Sequence, residues 1–169
     1  RVASTGQLIG VPFVVCDDPH TQSTPAIAVA RTSSQPVVMA LWVDDRAETP
    51  GIYGQRLDAN ARKVGLHVGL TPLDGLQARP VIAYSPASDR YLVAWHHIDG
   101  SGARIMAYSV SGDGALVWSP FAIATGIQTP DLAMDVAWDA LNDHFLVVWS
   151  DVVSGTVDDF DIFGQIVRL

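Results

Sequence analysis

Apolar and polar residues alternate along this chain in short runs, and turn-forming residues separate the runs. Four such runs follow one another between residues 25 and 70, and each is rich in β-branched, aromatic or alternating apolar residues. They occupy residues 25–28, 37–42, 51–57 and 64–70. Alternation with a period of two, bounded by glycine, proline and aspartate, is typical of β-strands. This region therefore predicts four antiparallel strands.

The four-run unit recurs with a period of about 50 residues, which is typical of stacked supersecondary units. Further copies of the first three runs lie at residues 80–83, 92–95 and 105–110, and again at 130–133, 146–149 and 162–167. In each copy the second run ends on a tryptophan (Trp42, Trp95 and Trp149), and a glutamine precedes the first run (Gln22, Gln77 and Gln128). These landmarks indicate one structural unit present in three copies.

The fourth run recurs at residues 117–123, and its third copy is found at the N-terminal end of the chain. There Arg1-Val2, eight residues and then residues 11–15 align with Arg56-Leu57, eight residues and then residues 66–70. We therefore expect the N-terminal residues to supply the fourth strand of the third unit. The predicted units cover residues 25–70, 80–124, and 130–169 together with 1–15, within a single domain spanning 1–169.

Four-stranded antiparallel units that repeat at this spacing are typical of β-propeller blades. The motifs Pro-x-Ile-Ala, Leu-Val-x-Trp and Ile-x-Gly-Gln resemble the repeats of bacterial, often exported β-propeller proteins of unassigned function; the middle copy has lost its Gly-Gln pair. The resemblance implies an all-β fold with three four-stranded blades per chain and a secreted or periplasmic location. The chain starts at Arg1 without an apolar leader, so either a leader has been removed or the sequence is an excerpt.

Three blades do not close a ring, because propellers typically have about four to eight. We therefore predict a homodimer that forms one six-bladed propeller, in which the two open blade faces of each chain meet those of its partner across a two-fold axis. The alternative is that the chain belongs to a longer propeller of six to eight blades.

Composition excludes several classes of function. The 169 residues carry a net charge of −8 and a single lysine, so there is no basic surface for nucleic acid. No apolar run approaches the ~20 residues that cross a bilayer, so no membrane partner is predicted. Cys16 is the only cysteine, which excludes an internal disulfide and a multi-thiolate zinc site.

Acidic residues concentrate in the loops predicted at one end of the blades, where propellers usually bind ligands. Eleven of the eighteen acidic residues lie there: Asp17, Asp18, Asp44, Asp45, Glu48, Asp74, Asp99, Asp151, Asp158, Asp159 and Asp161. Such a rim attracts cations or a hydroxyl-rich partner, and solvated loop acids are the alternative interpretation. The ligand-binding residues predicted on this rim are Asp44, Asp45, His96, His97, Asp99, Asp151, Gln22, Gln77 and Gln128.

The repeated tryptophans, the glutamines inside strands and the histidine pair have structural interpretations. The repeated tryptophans each bury on the order of 150–250 Å² and are expected to pack between blades. The strand glutamines Gln55 and Gln165 are expected to hydrogen-bond between blades or to a loop, because an unpaired buried amide costs ~1–3 kcal/mol. Because neighbouring strand residues point to opposite sides, at most one of His96 and His97 faces a central channel.

Chemistry beyond binding has little support in the sequence. Asp158, Asp159 and Asp161 are weak candidates for calcium, which takes about six to eight oxygen ligands, but their spacing matches no EF-hand. No nucleophile elbow, zinc-binding histidine motif or phosphate-binding glycine loop is present. The prediction is a non-enzymatic binding module for saccharide or another small polar ligand. The alternatives are a polysaccharide hydrolase or lyase using rim carboxylates, and a purely structural or assembly protein.

Overall fold

A computed structural model of the chain describes residues 6, 8, 10–31, 36–71, 74–117, 119–129, 133–153 and 159–169. Within these residues the chain forms β-strands and no helix, so nothing in them corresponds to a membrane-spanning helix. The strands are β1 (Gln22–Arg31), β2 (Pro36–Asp44), β3 (Gly51–Leu57), β4 (Lys63–Gly69), β5 (Leu76–Ser85), β6 (Arg90–Asp99), β7 (Gly102–Ser111), β8 (Phe121–Ile127), β9 (Met134–Asp139), β10 (His144–Val152) and β11 (Phe160–Val167). The predicted all-β class is confirmed.

The strands form three antiparallel sheets in which neighbours along the chain are also neighbours in the sheet. The first sheet has the order β1-β2-β3-β4, the second β5-β6-β7-β8 and the third β9-β10-β11. In the turn between β3 and β4, the Asp58 carboxylate accepts hydrogen bonds from the backbone N–H groups of Asn60 (2.8 Å) and Arg62 (2.9 Å). The described part of the chain thus contains two complete four-stranded units and one three-stranded unit.

The second sheet lies between the first and the third. Residues 91–97 of strand β6 are all buried, because side chains alternate between its two faces and both faces are covered. Tyr91, Val93 and Trp95 pack into a core shared with the first sheet, whereas Leu92 and Ala94 pack into a core shared with the third. The innermost strands β1, β5 and β9 contact one another in that order.

The repeated tryptophans confirm the expected packing between sheets in two of three cases. Trp95 is buried against the first sheet, and Trp149 is buried against the second sheet, where it stacks on Phe163. Trp42 lies on the face of the first sheet that points away from the second, since its neighbour Leu41 faces the second. Each tryptophan therefore points toward the position of the preceding sheet, and for Trp42 no described sheet occupies it.

Two strands begin later than the sequence pattern predicts. In the third unit, residues 130–132 lie outside the described residues, and the strand starts at Met134. Asp135 pairs with Val148, and Ala26 pairs with Leu41 at the equivalent position of the first sheet. In the second unit the fourth strand is β8 (Phe121–Ile127), rather than residues 117–123. The predicted start at residue 117 is too early, and Ala133, the described residue of the predicted run 130–133, lies outside the strand, because pairing with the neighbouring strand sets the register.

Residues 10–15 do not pair with the third sheet within one copy of the chain. Residues 11–15 are exposed or half-buried and form no strand, while Arg1 and Val2 lie outside the described residues. Val15 and Cys16 instead lie beside Trp42 and Ile27 on the outer face of the first sheet. Among the described residues the expected pairing with the third sheet is therefore absent, and the second sheet lies between this face and the third sheet.

Candidate functional site

The predicted site residues lie at one end of the sheets, which we call the loop face. It comprises the segments that enter β1, β5 and β9 and the connections that follow β2, β6 and β10. The chain passes from β4 to β5 and from β8 to β9 at this same end through short connections. The sequential antiparallel order of the strands therefore brings the recurrent glutamines and the residues after each tryptophan to the same end of their sheets.

The recurrent glutamines make the same local hydrogen bond in all three units. The side-chain nitrogen donates to the carbonyl oxygen two residues earlier: Gln22 to His20 at 2.5 Å, Gln77 to Gly75 at 2.8 Å and Gln128 to Gly126 at 3.0 Å. Each amide thus holds the segment that enters the first strand of its sheet. A local role of this kind explains why glutamine recurs at this position.

Asp44 is a fully buried carboxylate that is saturated by its own neighbours. It accepts hydrogen bonds from the Trp42 indole Nε1 (2.9 Å), the Arg46 side-chain Nε (2.8 Å) and the Arg46 backbone N–H (3.0 Å). The Arg46 guanidinium, and after it the Trp42 indole, hold the pKa of the Asp44 carboxyl well below its usual range. This predicted ligand-binding residue therefore anchors the loop that follows β2.

Arg46 is the centre of a polar cluster on the outer side of the first sheet, which we call the Arg46 cluster. Besides Asp44, its guanidinium contacts Asp18 Oδ2 at 3.1 Å and His67 Nε2 at 2.6 Å, and it lies 4.2 Å from the centre of the Tyr53 ring. Asp44 and then Asp18 raise the pKa of Arg46. One cation thus neutralises two acids of the predicted rim. His67 was not singled out from the sequence, because its neighbourhood is formed only by the pairing of β4 with β3.

In the second sheet the corresponding position is occupied by histidine. His96 and His97 are both buried, on opposite faces of β6. His97 Nε2 lies 3.0 Å from Asp99 Oδ2, and Asp99 also accepts hydrogen bonds from the Ser101 backbone N–H (2.8 Å) and from Arg104. Hydrogen bonds from Ser101, and then from His97, lower the pKa of the Asp99 carboxyl. Neither histidine is open to solvent in this conformation.

In the third sheet Asp151 ties down the connection between the second and third sheets. Its carboxylate accepts hydrogen bonds from the backbone N–H groups of Gln128 (3.0 Å), Thr129 (3.0 Å) and Val152 (2.9 Å), and from the Thr129 hydroxyl (2.9 Å). Asp44, His97 and Asp151 each follow a repeated tryptophan by two residues, and all three are buried. The position therefore serves as an internal anchor in every unit.

The exposed charge of the loop face comes from other acids. Asp45, Glu48, Asp74, Asp159 and Asp161 are exposed. Of these, Asp45 accepts a hydrogen bond from the Thr21 backbone N–H at 2.8 Å. Elsewhere on the outer side of the first sheet, Asp17 pairs with Lys63 at 3.2 Å. The predicted acidic rim thus divides into buried anchors and exposed acids.

The described residues contain no group of three histidine, cysteine, aspartate or glutamate side chains placed to hold a metal ion. Asp159 and Asp161 are exposed, and Asp158, the third of the weak calcium candidates, lies outside the described residues.

The two outward faces of the stack expose residues whose counterparts are buried between sheets. Ile52, Ile105 and Ile162 occupy the same position in their sheets; the first two are 0% exposed and Ile162 is 73% exposed. On the other outward face, Ile27 is 67% exposed, whereas its counterpart Ile82 is 8% exposed. An open cavity of about 310 Å³ lies on each of these faces, one beside Trp42 and one beside Ile162.

Comparison of the sequence with protein-family models gives no match, and comparison with curated proteins also gives no match.

Proposed function

We propose that this protein is a non-enzymatic binding module that works as one half of a six-bladed β-propeller, completed by a second copy of itself. In this assembly the first sheet of each copy stacks on the third sheet of the other. The loop face of the resulting ring binds a hydroxyl-rich ligand, with saccharide as the first class to test. The observation that carries the proposal is the exposure of Ile162, since Ile52 and Ile105 at the same position are buried between sheets.

The two outward faces are complementary in kind. One is the face of the first sheet that carries Trp42. The second and third sheets pack the equivalent face, which carries Trp95 or Trp149, against the sheet before them. The other carries Leu146, Val148 and Ile162, which correspond to Leu92, Ala94 and Ile105 of the second sheet. Stacking one face on the other would repeat the contact that already exists twice within the chain. A face that repeats an internal contact favours a second copy over an unrelated partner.

The free energy gained by burying apolar side chains also favours an assembly in which the two outward faces are covered. Burying a side chain such as isoleucine or leucine contributes roughly 1.5–3 kcal/mol, and several on these faces are exposed. A ring of two copies buries both faces of both chains at once, because its two interfaces are related by a two-fold axis. Interfaces of this apolar kind belong to the obligate class of ~2,000 Å² or more.

The ligand class follows from the chemistry of the exposed loop face. Asp45, Glu48 and Asp74 present exposed carboxylates, which accept hydrogen bonds from hydroxyl groups. The buried anchors Asp44 and Asp151 hold their loops in place through internal hydrogen bonds. This division supports binding without turnover, because the acids of the loop face do not form a buried pair of the kind that a glycosidase tunes.

Two measurements test the proposal. Sedimentation equilibrium of the dilute protein is expected to give twice the chain mass of 18.1 kDa; a stable folded monomer contradicts the ring. A panel of polysaccharides and oligosaccharides is expected to show binding with no product release. Release of product on this panel would instead support the hydrolase or lyase alternative.

A matched pair of variants tests the location of the ligand. Combining Asp45→Asn, Glu48→Gln and Asp74→Asn is expected to weaken binding of any saccharide identified on the panel at least tenfold. Asp139→Asn, in the turn at the opposite end of the third sheet, is expected to leave binding unchanged, because the Asp139 carboxylate bonds only within its own turn, to Leu141 and Asn142, among the described residues. Equal binding by both variants would show that the loop face is not the site.

A further inference from the structure

The outer edge of the third sheet is a long strand that pairs on one side. All of β11 pairs with β10, from Phe160 opposite Val152 to Val167 opposite Phe145. No described strand pairs with its other edge, although β3 and β7 at the same position each have a fourth strand beside them. Natural edge strands are usually short, charged or interrupted by proline. β11 is long, and Asp161 is its single charged residue.

The residues that precede β1 include an apolar segment that extends from the outer face of the first sheet and could pair with that edge. We call residues 10–15 the N-terminal arm. Its base is anchored, because Asp18 contacts Arg46 at 3.1 Å and Val15 lies beside Trp42. Beyond the base, Val11, Phe13 and Val14 are exposed large apolar side chains. An anchored apolar segment without a partner strand is a candidate for adding to an open sheet edge.

We propose that the N-terminal arm of one copy pairs with β11 of the second copy and becomes the fourth strand of its third sheet. The inference rests on the proposed ring, in which the third sheet of the partner stacks on the face of the first sheet from which the arm departs. The second sheet prevents the same pairing within one copy. The arms therefore cross between the copies at both interfaces of the ring.

The first sheet supplies the expected register. There Tyr53 pairs with Gly69 and Gly54 with Val68. The arm aligns with residues 66–70, so Val14 is expected opposite Phe163, and Phe13 opposite Gly164. A large side chain on the arm beside an edge glycine covers backbone that is otherwise exposed.

Proline in the arm is compatible with this pairing. Pro12 corresponds to His67, which lies within the irregularity between Gly54 and Arg56 and has no register partner on β3. The missing N–H of proline therefore falls where the first sheet also forms no regular pair. Proline is accepted at such positions of edge strands.

The test uses cysteine crosslinking in a Cys16→Ser background, which removes the only native thiol. One preparation carries Val14→Cys and another carries Phe163→Cys. The two are unfolded, mixed, refolded and oxidised. A reducible species of twice 18.1 kDa is expected, because directly paired strand residues lie within disulfide distance. The control mixes Val14→Cys with Leu141→Cys, a 94% exposed site in a distant turn, and is expected to yield little of this species.

The outcomes separate the two proposals. A dimer by sedimentation with no more crosslinking than the Leu141 control overturns the exchanged arm and leaves the ring intact. A monomer overturns both. A crosslink within one chain, formed by the double variant Val14→Cys/Phe163→Cys without dimer formation, also overturns the exchange. Should Phe163→Cys fail to fold because its stacking on Trp149 is lost, Phe13→Cys with Gly164→Cys replaces the pair, since a side chain at Gly164 meets its neighbours at ordinary contact distances.

Discussion

The indole nitrogen of Trp42 donates a hydrogen bond of 2.9 Å to Oδ2 of Asp44, two residues farther along the same strand. The corresponding residues of the second sheet are Trp95 and His97, and there the indole Nε1 is buried with no hydrogen-bond partner in the described structure. The same position in the repeat therefore carries two different polar arrangements. Replacing Asp44 is therefore expected to cost more stability than replacing His97, because Trp42 and Arg46 both donate hydrogen bonds to Asp44.

Replacing the buried Asp44 with asparagine is expected to lower the free energy of unfolding by about 3 kcal/mol, because the half-buried Arg46 guanidinium loses the nearer of its two partner charges. Urea denaturation measures the change. Asp45→Asn is the control, since Asp45 is exposed and accepts one hydrogen bond, from Thr21; it is expected to cost less than about 1 kcal/mol. Equal losses in the two variants would contradict the anchoring role of Asp44.

Acid should reveal the same carboxylate. The pKa of Asp44 is lower in the folded protein than its ordinary value of 3.8, so its contribution to stability is complete above that value and is lost as the pH falls toward the folded pKa. The free energy of unfolding of the native protein is therefore expected to fall below about pH 4, and more steeply than that of Asp44→Asn. Parallel pH profiles of the two proteins would show that Asp44 is not responsible.

The hydroxyl of Tyr91 joins the first and second sheets. It accepts a hydrogen bond from the Ala30 N–H at 3.0 Å and donates one to the Val37 carbonyl at 3.1 Å. Tyr91→Phe leaves both backbone groups unpaired and is expected to lower the free energy of unfolding by about 2 kcal/mol, as measured by urea denaturation. Tyr53→Phe, which keeps the ring under Arg46, is the control and should have a smaller effect.

Tyr91 also predicts a loss of stability in alkali. Burial raises its pKa to about 12, above the ordinary value of 10.0, so its contribution is complete below pH 10 and is lost as the pH rises through the folded pKa. Thermal unfolding between pH 9 and 12 is expected to show a steeper loss for the native protein than for Tyr91→Phe. Identical profiles would assign the alkaline transition to other groups.

A charge on the outward face of the third sheet is expected to dissociate the proposed ring. Ile162→Glu should convert the species of twice 18.1 kDa into a monomer that retains its β-sheet circular dichroism, since the side chain is exposed in a single copy. Leu141→Glu adds the same charge in an exposed turn and should remain dimeric. A dimeric Ile162→Glu protein would show that this face is not the interface.

The local pattern of the chain predicted much of this architecture. Apolar alternation identified β2, β3, β6, β7, β10 and β11, because a period of two reflects how each residue's side chain leaves the backbone. The same pattern placed the starts of β8 and β9 too early. The apolar alternation continues in the sequence ahead of both strands, and backbone pairing with the neighbouring strand decides where the strand begins.

The roles of the acidic residues in the candidate site could not be predicted from local sequence. Asp44, Asp45 and Asp151 look alike in sequence, yet two are buried anchors and one is exposed. That distinction arises because Arg46 folds back on Asp44 and because Thr129, distant in sequence, donates its N–H to Asp151. No periodicity records which donors meet a given carboxylate.

Repeat number and the order of the strands within each sheet were thus readable from residue order, since they depend on neighbours along the chain. The burial of Ile52 and Ile105 beside the exposure of Ile162 was not, although the three residues occupy one position of the motif. Their difference depends on whether another sheet lies against them, and packing between sheets is a property of the assembled stack.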